Sequence, residues 1–358
     1  MEAGRGVNHA KSGSVSLVGD LMLRERLANL RNEHDAGFDA AIAALHECEV
    51  VTANLEMPLS RRGSKMLKHS NLRSDPDIIH DVHEMGVHAV SLANNHLMDY
   101  GPVALLDTLA ACDGAGISRS GAGANLDEAM QPAWLDTGDK RIAFLSVSST
   151  LPLGSEATDD TPGIAPIRIF FSFEVDTNLI NEQPGTMPIV HSWTRAEDQD
   201  GVCRLVQDLK QEADAVIVAV HWGVPSYWLS PYQGLLVEYQ QPLGHALIDS
   251  GADIVFGHHS HSLHGIEVYR NRPIFYSAGN FIFERPRGFM EPESMIVQAT
   301  FGERLGVELV PLWVDERGLP ELATGDCATC VLEKITKLSE PFSTGFRVNE
   351  GRAELVFG

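Results

Sequence analysis

Four histidines fall within nine residues in GHHSHSLHG (Gly257–Gly265), directly after GADIVF, an apolar run that reads as a buried strand. Imidazole binds metals and carries protons near neutral pH, so this concentration points to metal or acid–base chemistry. Other polar residues occupy comparable places. Asp20 closes SVSLVGD, Glu56 closes VVTANLE, Asn95 follows HAVSLAN, and His221 stands near the end of DAVIVAVHW. Carboxylates, an amide oxygen and imidazoles form a mixed oxygen and nitrogen donor set. Such a set suits Zn, Mn or Fe better than the all-oxygen sites of calcium or magnesium. Taken singly, each has another reading: Asp20 as a helix cap, Asn95 as a turn residue, His221 as a satisfied core histidine. Their common position at strand ends weakens those readings jointly.

Strands alternating with helices must position these groups. The strand-like runs at 14–20, 50–56 and 88–94 are separated by helical spacing, in the second half of 24–49 and near 75–85. A further helix near 102–112 opens at Pro102 soon after Gly101. RIAFLSVSS, DAVIVAVHW and ADIVFGH continue the pattern, the second preceded by the helical GVCRLVQDLKQEA. The class is therefore α/β with a largely buried sheet, and in such a sheet ligands collect beyond the carboxyl ends of the strands. The stretch of about 150–198 breaks the rhythm with five prolines and RIFFSF, and reads as an inserted lid-like segment. After Pro273 the chain turns to short strand-like runs, a β-rich C-terminal part whose last forty residues are ambiguous. The expected organisation is a disordered tail over 1–13, one main domain over 14–320 and a C-terminal extension over 321–358.

The 358 residues are 44% hydrophobic, enough for a sizeable core. With 27 basic against 49 acidic residues the net charge is −22, a field that repels polyanions and argues against nucleic-acid partners. No run of 18 apolar residues and no signal-like N-terminus is present, so the expectation is a cytoplasmic protein without membrane contact. Five scattered cysteines fit a reducing compartment. Cys327 and Cys330 form a C-x-x-C pair with no second pair at zinc-finger spacing, and read as structural. GAGANL (121–126) lacks the lysine and hydroxyl of a phosphate loop, and no G-x-S-x-G nucleophile elbow occurs.

Six stretches carry a resemblance: VGDLML (18–23), ANLEMPLS (53–60), SLANNHLMDYG (91–101), HWGVPSY (221–227), GADIVFGHHSH (251–261) and IFYSAGNFIF (274–283). In this order they resemble the CapA-type poly-γ-glutamate capsule biosynthesis proteins, a branch of the calcineurin-like metallophosphatase superfamily. The resemblance implies a four-layer αββα sandwich of metallophosphatase type with a metal centre between its sheets. It implies Asp20 as the first aspartate ligand, Glu56 as the carboxylate bridging two metals, and Asn95, His221, His259 and His261 as further ligands. It implies His96 as the residue that protonates the leaving group; Asp99, three residues on, reads either as the group that orients it or as a turn aspartate before Tyr100-Gly101. Asn54, Tyr276, Asn280 and His264 are candidates to line the substrate pocket. If residues 259–261 are extended, His259 and His261 share a face while His258 points away, into packing or an outer position.

Two departures matter. The superfamily's Asp-x-His becomes Asp20-Leu21-Met22, and a thioether is a poor ligand for these ions, so one metal position loses a donor. The acidic residue common after His-Trp-Gly in the branch is replaced by Pro225 and Ser226. The expectation is one tight and one weaker divalent site per chain. Three functions compete: a hydrolase of an amide, peptide or ester bond in a small carboxylate-bearing, γ-glutamyl-like substrate; a phosphoesterase; and a non-catalytic accessory of capsular polymer synthesis or export. The expected partner is a small molecule or short peptide, with homo-oligomerisation left open.

Overall fold

The computed structural model describes residues 10–32, 34–225, 228–229, 236–284 and 291–358. Two sheets carry the architecture. The larger has ten strands. Its parallel half runs from Lys11–Met22 through Cys48–Leu55 and Ala89–Ser91 to Ser118–Ser120, and Asn280–Phe283 also pairs in parallel with the first strand. On the other side Glu293–Phe301 and Leu305–Val314 continue it antiparallel. The smaller sheet has six strands, with Lys140–Ser148, Ala215–His221, Ile254–His258 and Arg272–Phe275 parallel at its centre.

Three apolar layers show how the sheets stack. Val15, Leu17, Phe144, Ile217, Phe256 and Val297 form one cluster, drawn from both sheets and lying between them. The larger sheet's other face packs, through Val18, Val51 and Val90, on helices Ala36–Leu45, Ile78–Glu84 and Pro102–Ala115 by way of Phe38, Val82 and Leu105. The smaller sheet's other face packs on helices Ala196–Glu212 and Gln240–Asp249 by way of Val206 and Leu243. Helix, sheet, sheet, helix is the four-layer sandwich expected. Its central strands read as continuous apolar runs because both faces of each are covered.

One close crossing places the first strand's end. A Cβ on Gly19 would lie 1.8 Å from Gly279 O, so only glycine lets the backbones approach there. The next residue, Asp20, donates its N–H to that same oxygen at 3.2 Å. Gly279 has its own reasons to be glycine, a φ of +77° and a Cβ position only 2.9 Å from Glu293 O.

The structure alters three expectations. Residues 11–13, assigned to a disordered tail, open the first strand, while 1–9 lie outside the described residues. The last forty residues form helix Gly325–Ser339 and hairpin Gly345–Asn349/Arg352–Val356, and the hairpin extends the ten-stranded sheet. Within the segment of about 150–198 read as a lid, Ile169–Glu174 and Ile189–Thr194 form a projecting hairpin. Its described polar contacts run to Asp198, Gln199 and Glu238 and not to the strand-end residues.

Candidate metal centre

Parallel strands in both sheets bring their carboxyl ends to one place. Asp20 lies near the end of Lys11–Met22, and Asn54 near the end of Cys48–Leu55 with Glu56 just beyond. Asn94 to Asp99 form the turn after Ala89–Ser91. His221 and His258 close their strands, and His259 and His261 follow in bends.

Two groups of ligand-type atoms result. Glu56, His221 and His259 form one, and Asp20, Glu56 and His261 the other, with the atoms of each within 4.8 Å of one another. Glu56 belongs to both. Its Oε1 faces His261 Nε2 at 3.6 Å, His221 Nε2 at 3.8 Å and His96 Nε2 at 4.0 Å. Asn95 Oδ1 lies 2.9 Å from His221 Nε2 and so joins the first group. The arrangement fits a divalent cation. Bonds of about 2.0–2.2 Å to such an ion hold neighbouring donors about 3–3.5 Å apart, near these separations. His259 Nδ1, in addition, is buried with no hydrogen-bond partner among the described residues.

Protonation favours the same use. Burial pushes His259 down to about 3, and burial followed by the neighbouring His259 holds His221 well below its ordinary value. Both imidazoles are neutral at pH 7 and bind a cation without first losing a proton. Burial would raise the Asp20 carboxyl, but interactions with His258 and His261 outweigh it and hold the group well below the usual carboxylate range. Asn54 Nδ2 donates to Asp20 Oδ1 at 2.8 Å and lies 3.4 Å from Glu56 Oε2, so it ties the two carboxylates together. Asn94 in turn donates to Asn54 Oδ1 at 3.1 Å.

Beside the cluster, His96 Nδ1 lies 2.7 Å from Asp99 Oδ2. Burial brings His96 down to about 4 although Asp99 opposes it, so the ring is neutral at pH 7, its Nδ1–H directed to the carboxylate. Lys68 was not singled out in the sequence. Its ammonium pairs with Asp99 Oδ1, donates to Asn95 O at 2.6 Å and lies 3.3 Å from His96 Nδ1. A lone lysine in an irregular stretch carries no periodic or motif signal. Asn94 had one, being the first asparagine of ANNH.

Several expectations change. His259 and His261 do converge, but not by strand alternation. The strand ends at His258, and the two residues have φ of +95° and +55°, which L residues seldom adopt. The His259 N–H, 3.2 Å from Asp20 Oδ2, is one contact that holds the bend. His258 does not point away: its Nδ1 lies 3.2 Å from Asp20 Oδ1, with the ring edge-on to Phe256. Asn280 reaches the cluster, its Oδ1 2.9 Å from His261 Nδ1. Tyr276 does not line a pocket. It is fully buried, stacked on Trp222 and Phe342, with its hydroxyl donating to Glu267 at 2.6 Å. Asn54, also fully buried, holds the Asp20 and Glu56 carboxylates instead of facing open space. His264 is buried in neither ligand group, its N–H on Ser277 O. Met22 is fully buried in the apolar cluster with Leu21 and Leu23. Ser226 lies outside the described residues.

Comparison with known proteins agrees with the sequence stretches. A family profile described as "Bacterial capsule synthesis protein PGA_cap" matches residues 14–285. The chain is 27% identical to an uncharacterised protein of Sinorhizobium fredii, y4sH, over 95% of this chain and 92% of that one. It is 28% identical to the capsule biosynthesis protein CapA of Bacillus anthracis over 76% of this chain and 60% of the relative. Among solved structures, a putative 5'-nucleotidase from Staphylococcus aureus in complex with alpha-ketoglutarate aligns with a TM-score of 0.46 at 12% identity, covering 90% of this chain and 58% of that chain. Among the described residues no helix is long and apolar enough to cross a membrane.

Proposed function

The chain belongs to the bacterial capsule synthesis protein PGA_cap family, and from that premise we propose that it is a metal-dependent hydrolase of an amide, peptide or ester bond in a small carboxylate-bearing, γ-glutamyl-like substrate. The observation that carries the reading is the pair of ligand groups sharing Glu56. Asp20, Glu56 and His261 would hold one divalent ion, and Glu56, Asn95, His221 and His259 a second. Such ions acidify bound water toward neutral pH and stabilise the oxyanion that forms when it attacks. Four donors against three make the second position the tighter one.

The protein's own groups divide the remaining work. Asn54 keeps the two carboxylates in register, and His258 braces Asp20. A neutral His96, its Nδ1–H held by Asp99, would take at Nε2 the proton that the attacking water gives up and pass it to the leaving group, so it acts as a relay. The ligand groups would serve amide, ester and phosphoester hydrolysis alike, and the preference for an amide or ester follows the capsule and PGA biosynthesis names that the family and its relatives carry.

The test uses protein stripped of metal and reconstituted with Mn, Zn or Fe, assayed on γ-glutamyl anilides and on p-nitrophenyl phosphates. Metal-dependent turnover of the anilides supports the reading. Turnover confined to the phosphates would make the protein a phosphoesterase, and no turnover of either with metal bound would favour an accessory role.

A further inference from the structure

The hairpin Ile169–Glu174/Ile189–Thr194, with helix Thr177–Glu182 at its tip, places apolar side chains in water on both of its faces. Register opposes Phe170 to Trp193 on one face, their ring centroids 6.3 Å apart. Phe171 and Phe173, two apart and therefore together on the other face, pack edge to face at 5.7 Å. The four rings are between 48% and 64% exposed, and Val175, Leu179, Met187 and Ile189 between 43% and 57%. A whole aromatic side chain offers about 150–250 Å², so the rings alone leave roughly 400 Å² in water. The aliphatic residues bring the arm toward the about 800 Å² that each partner gives to a standard interface. An exposed apolar patch of this size commonly marks an interaction site.

The arm's root is held in place. Arg168 pairs with Asp198 at 3.0 Å, the Ser192 N–H donates to Glu238 at 2.8 Å, and His191 lies between Glu174 and Glu238. The arm is thus a presented element. Because both faces are apolar, a flat partner covers only half of it, whereas a symmetry-related copy that both offers and receives an arm covers both. The charge argues against lipid. Residues 169–194 contain no lysine or arginine but do contain Glu174, Asp176 and Glu182, the opposite of a segment drawn to an anionic bilayer.

We propose that this arm is the contact through which two copies of the chain associate, each arm enclosed by the other copy. The proposal is independent of the reaction assigned to the metal centre. It is tested by light scattering coupled to size exclusion, across a hundredfold range of concentration, on the full chain and on the Phe171→Ser/Phe173→Ser variant. Both positions are more than half exposed, so the variant keeps its fold, which an unchanged melting temperature verifies. The expected result is a dimer whose dissociation constant rises at least a hundredfold in the variant. A wild-type chain that stays monomeric throughout, or a dimer unaffected by the two serines, overturns the proposal. So does flotation of the wild-type chain with phosphatidylserine-containing vesicles that the serine variant loses, since that would assign the arm to lipid.

Discussion

Lys68 forms an ion pair with Asp99, a carboxylate that is fully buried and lies 2.7 Å from His96 Nδ1. The same ammonium donates to the carbonyl of Asn95, so one side chain joins the carboxylate partner of His96 to the backbone of a candidate ligand. Lys68→Met should leave metal content nearly unchanged and lower kcat by about tenfold to a hundredfold, less than the roughly 10² to 10⁴ expected of His96→Asn. Lys68→Arg should recover part of the loss. Elemental analysis beside steady-state kinetics checks this, and metal loss in the methionine variant would mean that Lys68 supports the ligands instead.

His258 bears on Asp20, so its removal should act on one metal position only. Glu56→Ala should empty both positions and abolish turnover. His221→Ala and His259→Ala should empty the four-donor position. His258→Ala should weaken the Asp20, Glu56 and His261 position by about tenfold to a hundredfold, the usual scale for groups that orient a ligand. A metal titration followed by calorimetry separates the cases. Equal losses in the His258 and His259 variants would show that His258 is itself a ligand.

Gly19→Ala should be among the most damaging small substitutions in the chain. Its Cβ would meet Gly279 O at 1.8 Å, backbone against backbone, with no side chain able to yield. The strands must separate where Asp20 is positioned, at a cost of about 3 kcal/mol or more. Denaturant unfolding should show that loss together with weakened metal binding. An alanine variant of unchanged stability would mean that the crossing is looser than described.

Acid should destabilise the metal-free chain partly through two surface-edge ion pairs. Arg317, hydrogen-bonded at 2.6 Å, holds Asp35 below the usual carboxylate range against the opposing effect of burial, and Arg352 does the same for Glu47. A folded pKa lower than the unfolded one gives stability that is fully present above about pH 4 to 4.5 and is lost as pH falls through the folded value. Urea midpoints measured from pH 6 down to pH 3 should therefore fall, and fall less steeply in Arg317→Met and Arg352→Met. Those variants should also be less stable near pH 6, by about 1–3 kcal/mol for the buried Asp35. Parallel curves would place the acid sensitivity elsewhere.

The residue order of this chain already contained the α/β alternation, the strand ends where Asp20, Glu56, Asn95, His221 and His259 stand, and the donor chemistry they share. Buried parallel strands announce themselves as apolar runs, and in such a sheet polar residues beyond those runs meet at one edge. Local pattern is sufficient for that much. Tertiary structure decided what pattern does not encode. The bends that bring His259 and His261 together have positive φ, outside any strand periodicity. Lys68 reaches Asp99 across 31 residues by folding alone. Tyr276 turned to Glu267 in the core because a buried hydroxyl takes the acceptor that packing supplies, and nothing in IFYSAGNF names that acceptor. The hairpin at 169–194 lay in a stretch that reads as an inserted lid, and only three-dimensional packing left its rings in water, since hydrophobicity along a chain states a need for cover and not what provides it.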